Sequence, residues 1–266
     1  MKSRVISAVI LIALLVPFLI IGGKFFAVMM GILGILAFHE LIHIRESKKE
    51  FPKVMKFFGY LLVIFFSLNN FDSIQFLYYV DYRVMSFIIF VFLAPMVFIN
   101  DSKRYNLNDA LFLTGSVLFI GLSFNLLIIT RNFNMAYIIY LLLITTITDT
   151  FALLTGMFIG NRKLAPNISP KKTIEGAIGG SLMGTFVATA FYMTVVNPNI
   201  SLVLVILITL MLTCVGQLGD LVFSAIKRYY GKKDFSDLIP GHGGILDRFD
   251  SLIFVTLAFI LVLGII

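Results

Sequence analysis

Long apolar runs, separated by short polar links, occupy most of this chain. They lack both the one-sided periodicity of an amphipathic helix and the alternation of a half-buried strand, so they indicate helices that face lipid. A helix needs roughly 20 mostly apolar residues to cross a bilayer. We therefore predict an all-α, polytopic integral membrane protein with about nine spans, at 5–22, 25–43, 54–70, 84–99, 110–129, 136–159, 175–195, 202–223 and 249–266.

The composition agrees with this class. Hydrophobic residues make up 59% of the 266 positions and charged residues only 13%, against about 25% charged residues in soluble domains. No link is long enough for a separate soluble domain, so we predict one membrane domain over 1–266, with scaffold helices in 1–135 and the chemistry in 136–266. The first run resembles a signal peptide, but no small-residue cleavage pattern closes it, and we interpret it as a mature helix.

The basic residues predict the orientation. If the N-terminus is cytoplasmic, 18 of the 21 Lys and Arg residues fall on the inner side, and only Lys24, Arg83 and Arg131 fall outside. This asymmetry is a strong positive-inside signal. The net charge of +7 then reflects topology and an anionic ligand or lipid surface, and it does not indicate a nucleic-acid partner.

Four polar side chains share one face of the eighth predicted span: Asp220, Ser224, Lys227 and Arg228. Their spacing of i, i+4, i+7 and i+8 places them on one stripe of a helix. Such a stripe can hold a metal ion at one end and phosphate oxygens at the other. The alternative is a salt-bridged helix end at the membrane interface.

The link after this helix is rich in glycine. In Pro240-Gly-His-Gly-Gly244, glycines allow backbone N–H groups to turn toward an anion. Asp247 and Asp250 then begin the ninth helix, where carboxylates are ordinary caps. Capping explains Asp250 as well as function does. It explains Asp247 less well, because His242 and Arg248 lie in the same turn. Oxygen ligands from Asp220 and Asp247 would suit Mg²⁺, with substrate phosphates and water completing its shell.

A second charged link reads Ser169-Pro-Lys-Lys-Thr-Ile-Glu-Gly176. Lys171 and Lys172 present two ammonium groups, which either bind phosphate or anchor the chain at the membrane surface. Thr173 can cap the seventh helix, with Glu175 in its first turn. Three glycines then recur every fourth residue, a spacing that favours close helix packing: Gly176, Gly180 and Gly184. Gly216 and Gly219, just before Asp220, predict a similar close approach.

Asp149 lies in the middle of the sixth span among threonines. A charge at this depth must face a cavity or a partner, so Asp149 either binds a ligand or pairs with a lysine from a neighbouring helix.

One rival motif is His39-Glu-Leu-Ile-His43, a literal match to the H-E-x-x-H zinc protease signature. Arg45 stands where the soluble signature has an apolar residue, and the chain has no Asp-Gly dipeptide for a further ligand. We interpret His39 and His43 as interfacial side chains. The chain also lacks the glycine-rich P-loop and Rossmann fingerprints.

Residues 224–250 resemble, position for position, the signature of bacterial phosphatidate cytidylyltransferases, S-x-x-K-R-x4-K-D-x-S-x2-I-P-x-H-G-G-x-x-D-R-x-D. The link 169–176 and Asp149 are similar to that family as well. The resemblance implies transfer of CMP from CTP to phosphatidate, giving CDP-diacylglycerol and pyrophosphate with Mg²⁺. It also implies a homodimer in the cytoplasmic membrane, with the active site facing the cytoplasm and membrane lipids around it.

The resemblance implies roles for individual residues. The catalytic residues would be Asp220, Lys227, Arg228, His242 and Asp247. The metal ligands would be Asp220, Ser224 and Asp247. The substrate-binding residues would be Asp149, Lys171, Lys172, Ser224, Gly243, Gly244 and Arg248. Two other functions remain open: a transporter of an anionic solute that uses Asp149 and the basic links, and a CTP-dependent lipid kinase.

Overall fold

The computed structural model describes residues 13–69, 82–99, 101–241 and 243–264. Residues 13–21 are helical. The helices that follow are α1 (Gly23–Glu46), α2 (Lys53–Leu68), α3 (Tyr82–Leu93), α4 (Pro95–Phe98), α5 (Leu107–Phe133), α6 (Met135–Ile159), α7 (Ile174–Phe191, continued by a π-helical turn over Tyr192–Val196), α8 (Leu202–Tyr229) and α9 (Leu246–Val262). Among the described residues, five helices are long and apolar enough to cross a membrane: α1, α5, α6, α7 with its π-helical turn, and α8. The prediction of a polytopic helical membrane protein is thus confirmed, and parts of the predicted spans 5–22, 54–70 and 249–266 lie outside the described residues.

The predicted span 84–99 is divided into two helical pieces. Helix α3 ends at Leu93, and a single turn, α4, begins at Pro95. Proline lacks a backbone N–H group and clashes with the preceding turn, so it breaks a helix interior and favours a new start. At 1.5 Å per residue, the 12 residues of α3 extend only about 18 Å, less than the roughly 30 Å of a bilayer core, so a fourth span would need α3 and α4 together, over Tyr82–Phe98.

The chain divides into two compact units. Unit 1 comprises residues 1–133 and 234–246, and within it α5 packs against α1, α2 and α3. Its core contains fully buried aromatic rings, such as Phe38, Phe66 and Phe124. Burial raises the pKa of the Tyr105 hydroxyl, with a smaller contribution from the nearby charge of Asp109. That hydroxyl remains protonated and donates a hydrogen bond to the carbonyl of Phe92 at 2.9 Å.

A buried ion cluster stabilises the start of α5. Asp109 is 1% exposed, and its carboxylate accepts a hydrogen bond from Arg45 at 3.0 Å and pairs with Lys49. It also accepts the backbone N–H group of Asn106 at 3.1 Å. Arg45 at the end of α1 and Lys49 just after it therefore neutralise a buried carboxylate.

Unit 2 comprises residues 134–233 and 247–266. In this unit α7 packs closely against α6, and α8 packs against both. Helices α8 and α9 run antiparallel: a Cβ atom built on Gly216 would lie 2.9 Å from Val255, and one on Gly219 would lie 2.7 Å from Phe254. The predicted close approach at these two glycines is confirmed.

The glycine stripe of α7 faces α6. Cβ atoms built on Gly176 and Gly180 would each lie 2.6 Å from a backbone carbonyl oxygen of α6, and one on Gly184 would lie 2.2 Å from the Thr148 hydroxyl. Real Cβ atoms do not approach backbone atoms so closely, so only glycine allows this contact. The structural role predicted for the stripe is confirmed.

Replacing Gly180 by Ala is expected to destabilise the protein by about 1–3 kcal/mol, because the added methyl group meets rigid backbone. The same change at Gly115 is the matched control, since a Cβ there meets no atom within 4 Å and alanine favours helix. Thermal melting followed by circular dichroism in detergent should show a lower midpoint for the first variant only. Equal midpoints would contradict the close α6–α7 contact.

The link 160–174 contains a small β-hairpin, which the all-α prediction missed. Strand β1 (Lys163–Ala165) pairs antiparallel with β2 (Ser169–Thr173), with Lys163 opposite Thr173 and Ala165 opposite Ser169. The strands are short and largely polar, and β2 contains a proline, so they lack the alternating apolar pattern that identifies strands in sequence.

The hairpin leads directly into a capped helix. The Thr173 hydroxyl accepts the N–H group of Gly176 at 3.1 Å, which confirms the predicted cap of α7. The Glu175 carboxylate accepts the backbone N–H groups of Asn161 and Arg162 at 3.1–3.2 Å. These bonds connect the end of α6, the hairpin and the start of α7 into one local structure.

Candidate active site

A polar cavity of about 350 Å³ lies in unit 2 among α6, α7, α8 and the hairpin. Its charged lining comes from α6, β2 and α8: Asp149, Lys171, Lys172 and Asp220. The close packing at Gly156 and Gly176, both in its wall, brings these elements together. Asp149 therefore faces a cavity, as the cost of a charge in mid-span requires.

The charged link 169–176 and helix α8 meet in this cavity. Lys172 forms an ion pair with Asp220, and the two side chains are 25% and 26% exposed. Lys171 lines the same cavity and is exposed. Two predicted site residues that are 48 positions apart thus become direct neighbours through the hairpin.

The predicted polar stripe along α8 is present. The Ser224 hydroxyl donates to the Asp220 carboxylate at 3.3 Å, one helical turn away. Two turns beyond Asp220, Lys227 is buried and donates to Asp247 at 2.6 Å. The stripe therefore joins a partly exposed carboxylate at one end to a buried ion pair at the other.

Asp250 belongs to the same charged group, although its sequence position was equally compatible with a helix cap. Its carboxylate is repelled by those of Asp220 and Asp149 and attracted by Lys227. Its backbone carbonyl lies over Gly219, 3.1 Å from where a Cβ would be. The spacing of Asp247 and Asp250 at i and i+3 was the signal available in the sequence. It could not distinguish a cap from a site because both carboxylates lie in a first helical turn.

The basic residues of the site make two kinds of interaction: some attract a carboxylate, and another donates hydrogen bonds to backbone carbonyls. The Asp149 carboxylate is attracted by Lys172 and by the exposed Arg248. The exposed Arg228 donates instead to the carbonyl of Ile168 in the hairpin turn, at 3.3 Å, and to that of Lys232, at 2.8 Å. Arg228 thereby connects the hairpin to the end of α8.

The acidic residues of unit 2 offer the oxygen ligands that a hard cation prefers. Asp149, Asp220 and Asp250 interact electrostatically, and carboxylate oxygens are the ligands that Mg²⁺ takes up. Among the described residues, no three acidic, histidine or cysteine side chains form a complete metal cage. Mg²⁺ commonly binds through one or two carboxylates plus substrate phosphates, so this arrangement fits that ion.

The predicted glycine-loop residues lie in unit 1, apart from His242, which is outside the described residues. Gly241 and Gly243 have φ values of +77° and +80°, which favour glycine. The N–H group of Ile239 donates to the carbonyl of Gly243 at 2.8 Å. Gly244 is buried against the carboxylate of Glu40.

The H-E-x-x-H motif is not arranged for zinc chemistry. His39 and His43 are exposed and stacked, with ring centroids 6.0 Å apart, and His39 hydrogen-bonds the Tyr60 hydroxyl at 2.7 Å. Glu40 points elsewhere and is 2% exposed. A zinc hydrolase needs the glutamate beside a metal that both histidines bind, so this geometry supports the interpretation of interfacial histidines.

The helices define a polytopic membrane protein, and its unit 2 contains a cavity lined by two lysines and two aspartates. The chain belongs to the cytidylyltransferase family, whose family model matches residues 2–266. It is 36% identical to the phosphatidate cytidylyltransferase of Staphylococcus saprophyticus and 37% identical to that of Staphylococcus aureus (strain COL). Each match extends over 256 residues and 96% of both chains. The family resemblance of residues 224–250 is confirmed, and it extends across almost the whole sequence.

Proposed function

We propose that this chain is a phosphatidate cytidylyltransferase of phospholipid biosynthesis, which transfers CMP from CTP to phosphatidate and releases pyrophosphate. Relatives named for this activity match 96% of the chain at 36–37% identity. The observation that carries the proposal is the cavity in which Lys172 meets Asp220. That cavity places cations and a carboxylate together at the side of a helical membrane domain.

In the proposed reaction, a phosphate oxygen of phosphatidate attacks the α-phosphorus of CTP. A new P–O bond forms, the bond between the α-phosphorus and its bridging oxygen breaks, and pyrophosphate leaves with that oxygen. Phosphoryl transfer of this kind needs positioning and charge neutralisation more than covalent chemistry from the protein. We assign the neutralising charges to Lys171, Lys172, Arg228 and Arg248.

We assign further roles to residues of the polar stripe on α8, of the cavity wall and of the glycine loop. Lys227 holds the buried carboxylate of Asp247 in place, and Asp149 lines the same cavity as Lys171 and Lys172. His242, Gly243 and Gly244 remain our candidates for phosphate contacts, by the family resemblance.

We assign Mg²⁺ to Asp220 and Asp247, with the Ser224 hydroxyl beside Asp220, and we add Asp250 as a further carboxylate of this group. When bound, such an ion neutralises phosphate charge and orients the reacting oxygens. Lys172 and Lys227 balance the charges of Asp220 and Asp247. Lys172, the more exposed of the two lysines, would also be available to substrate phosphates at the cavity.

An apolar groove between α7 and α8 supports a lipid substrate. Its volume is about 510 Å³, and its lining is almost entirely hydrophobic. It shares Leu164, Ala177 and Gln217 with the polar cavity. A phosphate headgroup in the cavity would therefore have its acyl chains beside an apolar surface that continues directly from it.

We further propose nine spans, a cytoplasmic N-terminus, and a site that faces the cytoplasm in a homodimer of the cytoplasmic membrane. The inner location of 18 of the 21 basic residues supports the orientation. CTP then reaches the site from water and phosphatidate reaches it from the bilayer. The homodimer follows from the family resemblance.

Product analysis tests the function. Purified protein in mixed micelles with phosphatidate and cytidine-labelled CTP is expected to give labelled lipid and pyrophosphate, and only when Mg²⁺ is present. Thin-layer chromatography detects the lipid. Release of CDP with unlabelled lipid would indicate the CTP-dependent kinase instead. Flux of an anionic solute through liposomes without nucleotide, and without lipid labelling, would indicate a transporter.

A further inference from the structure

Glu40 is a buried carboxylate that accepts hydrogen bonds from one segment of unit 1. It is 2% exposed, although its helix, α1, is otherwise largely apolar. Its Oε1 atom accepts the Ser236 hydroxyl at 2.7 Å and the backbone N–H of Ile245 at 2.8 Å. Its Oε2 atom accepts the backbone N–H of Leu246 at 2.9 Å. One side chain therefore holds both ends of the segment 236–246.

These bonds explain why a carboxylate is tolerated in this position. A buried charge is costly unless it is hydrogen-bonded, and Glu40 accepts three hydrogen bonds. The first N–H groups of a helix lack intrahelical partners and carry partial positive charge. Leu246 is the first residue of α9, so its N–H group lacks an intrahelical partner, and the Glu40 carboxylate supplies one.

The glycine loop closes against the same carboxylate. A Cβ atom on Gly244 would lie 2.4 Å from Oε1 of Glu40, so any side chain at this position would displace the carboxylate. Within the loop, the Ile239 N–H donates to the Gly243 carbonyl at 2.8 Å. The turn is thus closed on itself and fastened at its flanks by Glu40.

We propose that Glu40 is a positioning residue for cytidylyl transfer: through its bonds to Ser236, Ile245 and Leu246 it fixes the backbone around Gly243 and Gly244. Asp247, a proposed metal ligand, directly follows Leu246 in the chain. Glu40 does not touch the reacting groups and acts through the loop backbone. This inference rests on the proposed function.

The test compares Glu40→Gln, which keeps the size but turns an amide NH₂ group toward backbone donors, with Glu40→Asp, which keeps both acceptor oxygens. We expect kcat to fall about ten- to a hundredfold in Glu40→Gln, as for loss of charged hydrogen bonds. Partial recovery is expected in Glu40→Asp. The matched control is Glu46→Gln on the same helix, where the carboxylate binds Lys56 and the N–H of Phe51. It should keep kcat near the parent value.

Hydrogen exchange separates positioning from general stability. Peptides covering 236–246 are expected to exchange faster in Glu40→Gln, while those of α5 keep the parent rate. Unchanged exchange in this segment, or an equal rise in both regions, would overturn the proposal. This measurement needs no substrate, so it remains decisive if the proposed activity itself is absent.

Discussion

Replacing Asp220 by Asn is expected to reduce Mg²⁺-dependent transfer of CMP to lipid by about a thousandfold or more, while the protein stays folded. Loss of a charge that holds a divalent cation removes several kcal/mol of transition-state stabilisation, and each 1.4 kcal/mol is about tenfold in rate. Lys172 loses its partner in this variant. Because both side chains of the pair are about a quarter exposed, the expected loss of stability is below about 1 kcal/mol.

The matched control is Asp101→Asn, an exposed aspartate in the link between α4 and α5, which should retain parent activity. Initial rates with labelled CTP, measured across a Mg²⁺ titration, check the prediction together with the melting midpoint. Parent activity at saturating Mg²⁺ in Asp220→Asn would refute the assignment of this carboxylate to the cation.

Removing either partner of the Lys227–Asp247 pair is expected to lower both stability and activity. The side chains are only 9% and 3% exposed and lie 2.6 Å apart. Asp247→Asn removes the carboxylate that pairs with the buried ammonium group, and Lys227→Met removes the ammonium group that pairs with the buried carboxylate. The cost of breaking such a pair is about 3–5 kcal/mol. Thermal melting in detergent should therefore show a large drop for each single variant.

The double variant Lys227→Met with Asp247→Leu separates the two effects. Replacing both charges by apolar groups is often neutral for stability, so its melting midpoint should return toward that of the parent protein. Activity should stay absent, because the proposed ligand is missing. A double variant that regains activity would show that the pair is structural only, and a single variant with the parent midpoint would contradict its burial.

Many residues of this candidate site could be predicted from the sequence alone. The charges of unit 2 are placed where a membrane protein rarely has them, and a polar group in an apolar run needs a specific reason. The spacing from Asp220 to Arg228 shows one helix face, and the cap at Thr173 follows from local hydrogen bonding. Both are properties of neighbouring residues, which a helical period describes fully.

Contacts between residues that are far apart in the sequence could not be predicted in this way. The partner of Lys172 depends on a hairpin whose strands carry no apolar alternation. The membership of Asp250 in the charged group depends on the antiparallel contact of α8 with α9. The H-E-x-x-H motif shows the same limit: its glutamate is buried against Ser236 and Ile245, 196 and 205 positions away, while its histidines remain exposed.

The sequence alone predicts the order of the lipid-facing helices, their orientation and the family signature. Hydrophobicity, charge and residue spacing carry this information, because insertion into a bilayer depends on the composition of short stretches. Which carboxylate meets which lysine, and which glutamate fastens the glycine loop, was decided only when helices packed. Such contacts depend on where glycines let backbones approach and on which buried charges find donors, and neither quantity is a property of any one segment.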